Sequence, residues 1–364
     1  MEYISLSDIA TYKQGKQVAI DKQHLNCDEG MVRFVRIVDF TNSGEPPRYI
    51  ENLGEQYVVD ESSIIMIRYG SQTAGVVVRG ISGIIANNMF QICINDQRFD
   101  VDYLYLYLAS EPVRKMLMSG QSSSTMPAIT FGMLRQVLVP MRPLEEQRKV
   151  AALLGNIDKK IENNNVINNN LEQQAQAIFD SMFPNTASGK KCIGDFIFPK
   201  RGKNLLSKNA VFGSVPVVAG GLEPATYHNV SNTASPVLAI SASGANAGYV
   251  SLWSIPIWSS DSSYIDSSMT DDVYFWYVLL KKRQQEIFDA QTGSAQPHIY
   301  PQHIASMPIT DIMPTEISNF TDTVTPMFAT IGHNKEENSR LATLRDTLLP
   351  KLMSGELDIS EITL

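Results

Sequence analysis

The chain has little of what marks several protein classes. Cys27, Cys93 and Cys192 are odd in number and scattered through 364 residues, which suggests neither a disulfide framework nor a zinc site. His24, His228, His298, His303 and His333 form no metal-ligand set. No apolar run approaches the roughly 18–20 residues of a membrane span. Met1 to Ala10 lacks the basic-then-apolar design of a signal peptide. These absences imply a reducing cytoplasm and no membrane partner.

Catalytic signatures are missing too. No Gly-rich loop follows a strand and opens a helix with an acid downstream, and no Walker Gly-Lys-Ser/Thr occurs. The only Pro-Pro, in Glu45-Pro46-Pro47-Arg48, lacks the Asn/Asp-Pro-Pro-aromatic form expected of an amino-methyltransferase. Gly244-Ala245-Asn246-Ala247-Gly248 invites a phosphate-loop reading, but a turn that is structural or faces nucleic acid fits better.

An excess of basic charge is also lacking: the formal charge is −8. Its distribution matters more than its sum. Residues 1–143 carry 13 basic and 15 acidic groups, a net −2, and residues 184–313 carry 9 of each. The stretches 144–183 and 314–364 carry −2 and −4, so most of the acidity sits there. The near-neutral parts can still present one basic face to phosphate.

What is present is a repeat. Val150, Leu154, Ile157 and Ile161, then Leu171, Ala175, Ile178 and Met182, alternate spacings of four and three, a heptad seam with Asn164 and Asn168 in its gap. Shifted by 170 residues, the seam falls on Phe320, Val324, Met327 and Ile331, then Asn334 and Asn338, then Leu341, Arg345, Leu348 and Leu352. Both asparagines recur in register, the mark of an internal duplication. A pseudo-two-fold axis would run the helices antiparallel and set Asn164 against Asn338, Asn168 against Asn334, Ile161 against Leu341 and Leu171 against Ile331. Buried Asn at such positions fixes register at some expense in stability. Gly155-Asn156 and Thr325-Pro326 fall at matching places and predict a break, giving a short helix and then a long one in each half.

Between the helices lie two globular parts with one grammar. The first predicts strands at 31–40, 64–69, 75–78, 89–94 and 137–140, with a helix over 101–119. Lys13-Gln14-Gly15-Lys16 answers to Lys200-Arg201-Gly202-Lys203, and Arg68 through Gly75 answers to Ser241 through Gly248. The fold class that follows is α+β: two similar mixed α/β domains, residues 1–143 and 184–313, separated by two long antiparallel helices forming a coiled coil, residues 144–183 and 314–364. Tyr103, Tyr105 and Tyr107, with Tyr274 through Tyr277, are expected in cores rather than as stacking platforms.

Several stretches carry a family resemblance. Pro143-Leu144-Glu145-Glu146-Gln147-Arg148-Lys149-Val150-Ala151, ending in Ile157-Asp158, resembles the junction of target-recognition domain and helix in specificity subunits of type I restriction–modification systems. Gly293 through Ile299 and Leu348-Leu349-Pro350-Lys351-Leu352-Met353-Ser354-Gly355-Glu356-Leu357 resemble the same family. The second junction, Pro314-Thr315-Glu316-Ile317-Ser318, keeps only the Pro and Glu. The resemblance implies a subunit without catalysis of its own. Each recognition domain would read one half of a split sequence on double-stranded DNA, and the helices would fix the spacing. Two methyltransferase subunits and the motor-endonuclease subunits would be partners. S-adenosylmethionine, ATP and Mg would sit on those partners, in an adenine methyltransferase and ATP-dependent endonuclease.

DNA contact needs phosphate donors and adaptable polar groups for base edges. In the first domain the candidates are Lys13, Gln14, Lys16, Arg48, Arg68, Ser71, Gln72, Thr73, Ser123 and Thr125. In the second they are Lys200, Arg201, Lys203, Asn204, Tyr227, His228, Ser243, Asn246, Ser294, Gln296 and His298. For each, a solvated loop residue is the plainer alternative. For the whole chain two other readings stand beside the first: a coiled-coil scaffold with two ligand-binding domains not specific for DNA, and part of a fused modification enzyme.

Overall fold

The computed structural model describes residues 2–42, 44–119, 127–293, 296–357 and 359. The chain divides into two compact units, Met1–Lys159 with Leu341–Leu364, and Lys160–Arg340. The helical stretches are therefore not units of their own. Each is divided between the two.

In the first unit the strands are β1 (Tyr3–Ser5), β2 (Ala10–Gln14), β3 (Met31–Val35), β4 (Arg48–Glu51), β5 (Val58–Val59), β6 (Ile64–Ile67), β7 (Val77–Val78), β8 (Gly83–Ile85), β9 (Met89–Ile94) and β10 (Leu138–Pro140). They form an antiparallel sheet in the order β2-β9-β6-β7 and a second sheet β4-β3-β8-β5 in which β3 and β8 run parallel. The pair β1-β10 ties the start of the domain to its end, with Tyr3 opposite Pro140. Phe34, Ile65, Ile67, Ile84 and Met89 fill the core. β6, Ile-Ile-Met-Ile, is buried at every residue, as a strand covered on both faces must be.

The second unit repeats the plan with β11 (Lys191–Cys192), β12 (Lys200–Arg201), β13 (Val215–Val218), β14 (Thr226–His228), β15 (Val237–Ser241), β16 (Val250–Trp253), β17 (Trp258–Ser259), β18 (Ser262–Asp266) and β19 (Pro308–Ile309). Its sheets are β12-β18-β15-β16 and β14-β13-β17, with β13 parallel to β17, and β11 pairs with β19. Strand for strand this is the first domain without a partner for β5. Phe179, Phe275 and Phe320 meet with ring centres 5.4–6.0 Å apart at the middle of its core.

Two long helices, Leu144–Met182 and Pro314–Ser354, complete the chain. The predicted breaks at Gly155-Asn156 and Thr325-Pro326 do not occur; both helices are continuous through them. Gly155 only weakens helix propensity. Pro326 and Asp322 both lie on the exposed side, where water can serve the Asp322 carbonyl that the missing proline N–H leaves without a partner. The helix predicted over 101–119 is instead two, Val101–Leu108 and Glu111–Ser119. Pro112 cannot share an α-helix with the Leu108 carbonyl four residues earlier without a clash. The strand predicted over 31–40 ends at Val35, because Asp39 turns back to accept from the Arg36 backbone N–H at 2.6 Å.

Within the second unit the seam asparagines are paired. Asn164 Nδ2 donates to Asn338 Oδ1 and Asn334 Nδ2 to Asn168 Oδ1, both at 2.8 Å, so the helix segments run antiparallel there. Leu171 and Ile331 both belong to the core that those segments share with the domain. Within the first unit the seam residue Arg345 donates to Asp158 at 2.8 Å. At the corresponding places 170 residues away, Ala175 and Phe328 are buried in an apolar core, so the repeat is asymmetric in chemistry. Gln147, from the junction motif, is 1% exposed and clamps the helix start: its amide donates to the Arg98 and Arg142 carbonyls at 2.8 Å and accepts from the Asp100 N–H at 2.9 Å. Among the described residues no helix is long and apolar enough to cross a membrane.

Candidate nucleic-acid interface

In the first domain β2 is a sheet edge and ends on Lys13 and Gln14, both exposed. The chain then crosses to the other sheet at Gly15, where a Cβ would lie 2.1 Å from the Ala86 carbonyl oxygen, so only glycine fits. Lys16 follows with Nζ 3.5 Å from the centre of the Tyr57 ring, and its ammonium holds that phenol below its usual range. Beside this edge Arg68 leaves the end of β6. Its Nη1 donates to Gln14 Oε1 at 3.1 Å, and Gln14 Nε2 donates to the Met89 carbonyl at 3.2 Å. The guanidinium lies 5.1 Å from the Tyr69 ring centre and 5.9 Å from that of Phe131. A charged fork is thus held at a polar edge by an amide and two rings.

The second domain builds the same edge differently. Lys200 and Arg201 are exposed on β12, also an edge strand, and Gly202 makes the crossing. Arg201 Nη2 donates to Asp261 Oδ1 at 2.6 Å, and Ser243 Oγ donates to the other oxygen of that carboxylate. Lys203 and Asn204 continue the exposed, polar run.

Backbone hydrogen bonds fix which residues correspond. Gly15 N–H to Met89 matches Gly202 N–H to Ser262; Arg68 N–H to Asn88 matches Ala242 N–H to Asp261; Gly70 N–H to Pro127 matches Gly244 N–H to Pro297. Gln14 therefore corresponds to Arg201, Arg68 to Ala242 and Asn88 to Asp261. Alignment by sequence pairs Arg68 with Ser241, one residue off, because the loop from Gly70 to Gly75 is one residue longer than that from Gly244 to Gly248. Each loop closes on its own strand end, Gly75 onto Ile67 and Gly248 onto Ser241. With the Gly244 and Ala247 N–H groups both bonded to carbonyls, Gly244 through Gly248 is a turn and not a phosphate cradle.

The remaining candidates divide. Ser71, Gln72, Tyr227 and Gln296 are exposed and available. Thr73 donates its hydroxyl to the Tyr69 carbonyl at 2.8 Å, and Asn246 donates to the Gly220 carbonyl at 3.3 Å. His298 pairs with Ser243 and Thr292 across β-bridges and stacks on Tyr300, which places it beside the Arg201 site but in a bonded role. His228 is buried: its Nδ1 accepts from the Val211 N–H at 3.0 Å and its ring meets Trp258 edge-on. Strand register makes it the counterpart of buried Ile50, so it leaves the candidate surface. Arg48 lies on β4, an edge of the other sheet, away from the β2 edge. Ser123, Thr125 and Ser294 lie outside the described residues.

Sequence reasoning missed Asp261, Asn88 and Phe131. Asp261 sits in Ser259-Ser260-Asp261-Ser262-Ser263, a run with no signature. Only its correspondence with Asn88 through backbone bonding reveals it. Tyr103 and the aromatic run at 275–277 are buried as expected, and burial raises the Tyr103 and Tyr277 phenols above their usual range. Among the described residues no group of three or more His, Cys, Asp or Glu could hold a metal ion.

Comparison with known proteins converges. A family model for the type I restriction modification DNA specificity domain matches residues 1–173. The type I restriction enzyme MjaIX specificity subunit of Methanocaldococcus jannaschii is 25% identical over 331 residues, spanning 79% of this chain and 76% of that one. The type I restriction enzyme HindI specificity subunit of Haemophilus influenzae is 34% identical over 84 residues, 22% of this chain and 18% of its own. Among solved structures, the S subunit of a type I restriction-modification system from M. genitalium superposes with a TM-score of 0.58 at 18% identity, over 99% of this chain and 96% of that one.

Proposed function

The chain belongs to the DNA-specificity subunits of type I restriction–modification systems, and from that membership we propose that each globular domain reads one half of a bipartite sequence on double-stranded DNA. The observation that carries this is the duplicated basic edge: Lys13-Gln14-Gly15-Lys16 and Lys200-Arg201-Gly202-Lys203 occupy the same strand, register and glycine crossing in two domains with different side chains around them. One scaffold with two sets of contacts is what two unlike half-sites require.

The long helices set the distance between the halves and dock two methyltransferase subunits, with the motor-endonuclease subunit completing the restriction enzyme. Their acidity keeps them off phosphate and leaves that contact to the domains. The chain itself is non-catalytic and works in the cytoplasm. S-adenosylmethionine, ATP and Mg are held by the partners, which methylate adenine and cleave DNA.

Methylome sequencing of the host with and without this chain tests the reading. A bipartite methylated motif with two fixed halves and a fixed gap should disappear on deletion. If no bipartite motif disappears, the proposal fails.

A further inference from the structure

We propose that Arg68 and Arg201 are the base-reading residues of the two domains, each contacting the guanine of a G·C pair at the corresponding place in its half-site. The inference rests on the DNA-reading function above and goes on to name the residue and the base.

Two observations point to it. A guanidinium stands at the same locus in both domains but comes from different strands: from the end of β6 in the first, where the second has Ala242, and from β12 in the second, where the first has Gln14. The duplication kept the group and not the residue. Inheritance of a fixed scaffold residue would have kept its position. A structural need would not call for a charge either, since among the described residues the hydrogen-bond partner of Arg68 is the exposed Gln14, and the Tyr69 and Phe131 rings beside it could pack against an uncharged side chain.

Both forks, moreover, are oriented by one hydrogen-bond partner, with two rings beside it in the case of Arg68, and each keeps further terminal donors. Arg68 has Nη1 on Gln14 and Nε buried without a hydrogen-bond partner among the described residues, so the terminal nitrogens are what the side chain has to offer. Arg201 has Nη2 on Asp261, and Asp261 is itself steadied by Ser243. Each terminal nitrogen carries two hydrogens, so one bond to a positioning group leaves an end-on pair of donors. That pair matches O6 and N7 of guanine in the major groove, the commonest specific use of arginine. Adenine, which offers N7 beside an N6 donor, would be refused. A plain phosphate contact needs no such orientation, and the neighbouring lysines Lys13, Lys16, Lys200 and Lys203 already supply that charge.

The test maps methylated motifs genome-wide in a host carrying the chain with its modification subunits, for wild type, Arg68→Ala, Arg201→Ala, Arg68→Lys and Arg201→Lys. Arg68→Ala should relax one G·C position in one half of the motif and Arg201→Ala one in the other half, with discrimination falling roughly 5- to 150-fold at that position alone. The lysine variants should restore overall methylation more than they restore discrimination. Uniform loss across all sites with an unchanged motif, or a wild-type half lacking any fixed G·C pair, would overturn the inference. To separate base reading from a local effect of alanine on the fold, the triple variant Gln14→Arg, Arg68→Ala, Asn88→Asp moves the second domain's arrangement into the first. It should bring guanine discrimination back in that half; a variant that assembles and methylates without it also overturns the proposal. Absence of any bipartite motif in the wild type would instead indict the DNA-reading function itself.

Discussion

Asn164 donates to Asn338 at 2.8 Å, and the bond's counterpart under the 170-residue repeat, Asn334 to Asn168, has the same length and direction. The repeat maps donors onto donors. Asn164 is 1% and Asn168 7% exposed, so these are buried amides satisfied by each other, with Asn338 also reaching Asn165 at 2.9 Å. A slip by one seam position would leave them unpaired in an apolar seam, which is how such pairs fix register.

A double-mutant cycle should measure that coupling. Asn164→Ala and Asn338→Ala are each expected to lower stability by roughly 1 kcal/mol, since the first removes a buried amide bonded to both Asn338 and Glu337 and the second takes one of those two partners from it. The double variant should fall short of the sum by about 0.5 kcal/mol or more, read from denaturant midpoints. Strict additivity would mean that the two amides do not support each other.

The seam also gives an acid-dependent contribution. Glu337 accepts from Asn164 Nδ2 at 2.7 Å and lies 3.2 Å from Lys160 Nζ, and these partners, with His333 nearby, hold its carboxyl below the usual glutamate range. A depressed folded-state value stabilises the fold above the ordinary glutamate value near 4.3 and loses that effect as pH falls through the folded value. The thermal midpoint of Glu337→Gln should therefore lie below that of wild type at pH 7 and converge on it as the pH falls through the depressed folded-state value. A gap that stays constant across the titration would remove Glu337 from the account.

How much of this was legible in the sequence depends on the kind of residue. Seam amides and apolar residues announce themselves by period, so the asparagine pairs and the antiparallel helices follow from a repeat of 170 residues. Helix breaks do not. Thr325-Pro326 looks like a terminus, yet Pro326 lies on a solvent face where its missing bond is tolerated. At the β2 and β12 edges the backbone grammar is visible, because Gly15 and Gly202 mark crossings that nothing larger could make. The side-chain partnerships are not, since Asp261 meets Arg201 from 60 residues away. His228 shows the opposite failure: a polar residue in a polar stretch turns out to fill the place of Ile50.

Pro326 itself yields a prediction. It lies mid-helix and exposed, with Thr325 and Thr330 hydroxyls bonded back to the Thr321 and Pro326 carbonyls at 2.7 and 2.9 Å. Pro326→Ala restores one backbone bond and should stabilise the second unit by up to about 3 kcal/mol. Calorimetry would show it as a raised midpoint. A lowered midpoint would mean that the proline is needed for the local path of the helix.

The same substitution at two kinds of glycine should act with opposite sign. At Gly15 a Cβ would meet the Ala86 and Ile85 carbonyl oxygens at 2.1 and 2.5 Å, and at Gly202 it would meet those of Ser260 and Ser259 at 2.6 and 2.5 Å. Ile85-Ala86 and Ser259-Ser260 are counterparts in the repeat, so the crossing is one device used twice. Backbone cannot step aside as a flexible side chain could, and Gly15→Ala or Gly202→Ala should lower stability by at least roughly 1–3 kcal/mol. Each should also weaken DNA binding through the half-site of its own domain, because the crossing carries Lys13 and Gln14, or Lys200 and Arg201, to the edge. Gly155 lies inside a continuous helix with nothing within 4 Å of an added Cβ, so Gly155→Ala should raise stability by about 0.5–1 kcal/mol. Matched melts of the three variants decide the point. Destabilisation by Gly155→Ala would mean that the helix needs the glycine for some other contact, and indifference to Gly15→Ala would mean that the crossing has room to yield.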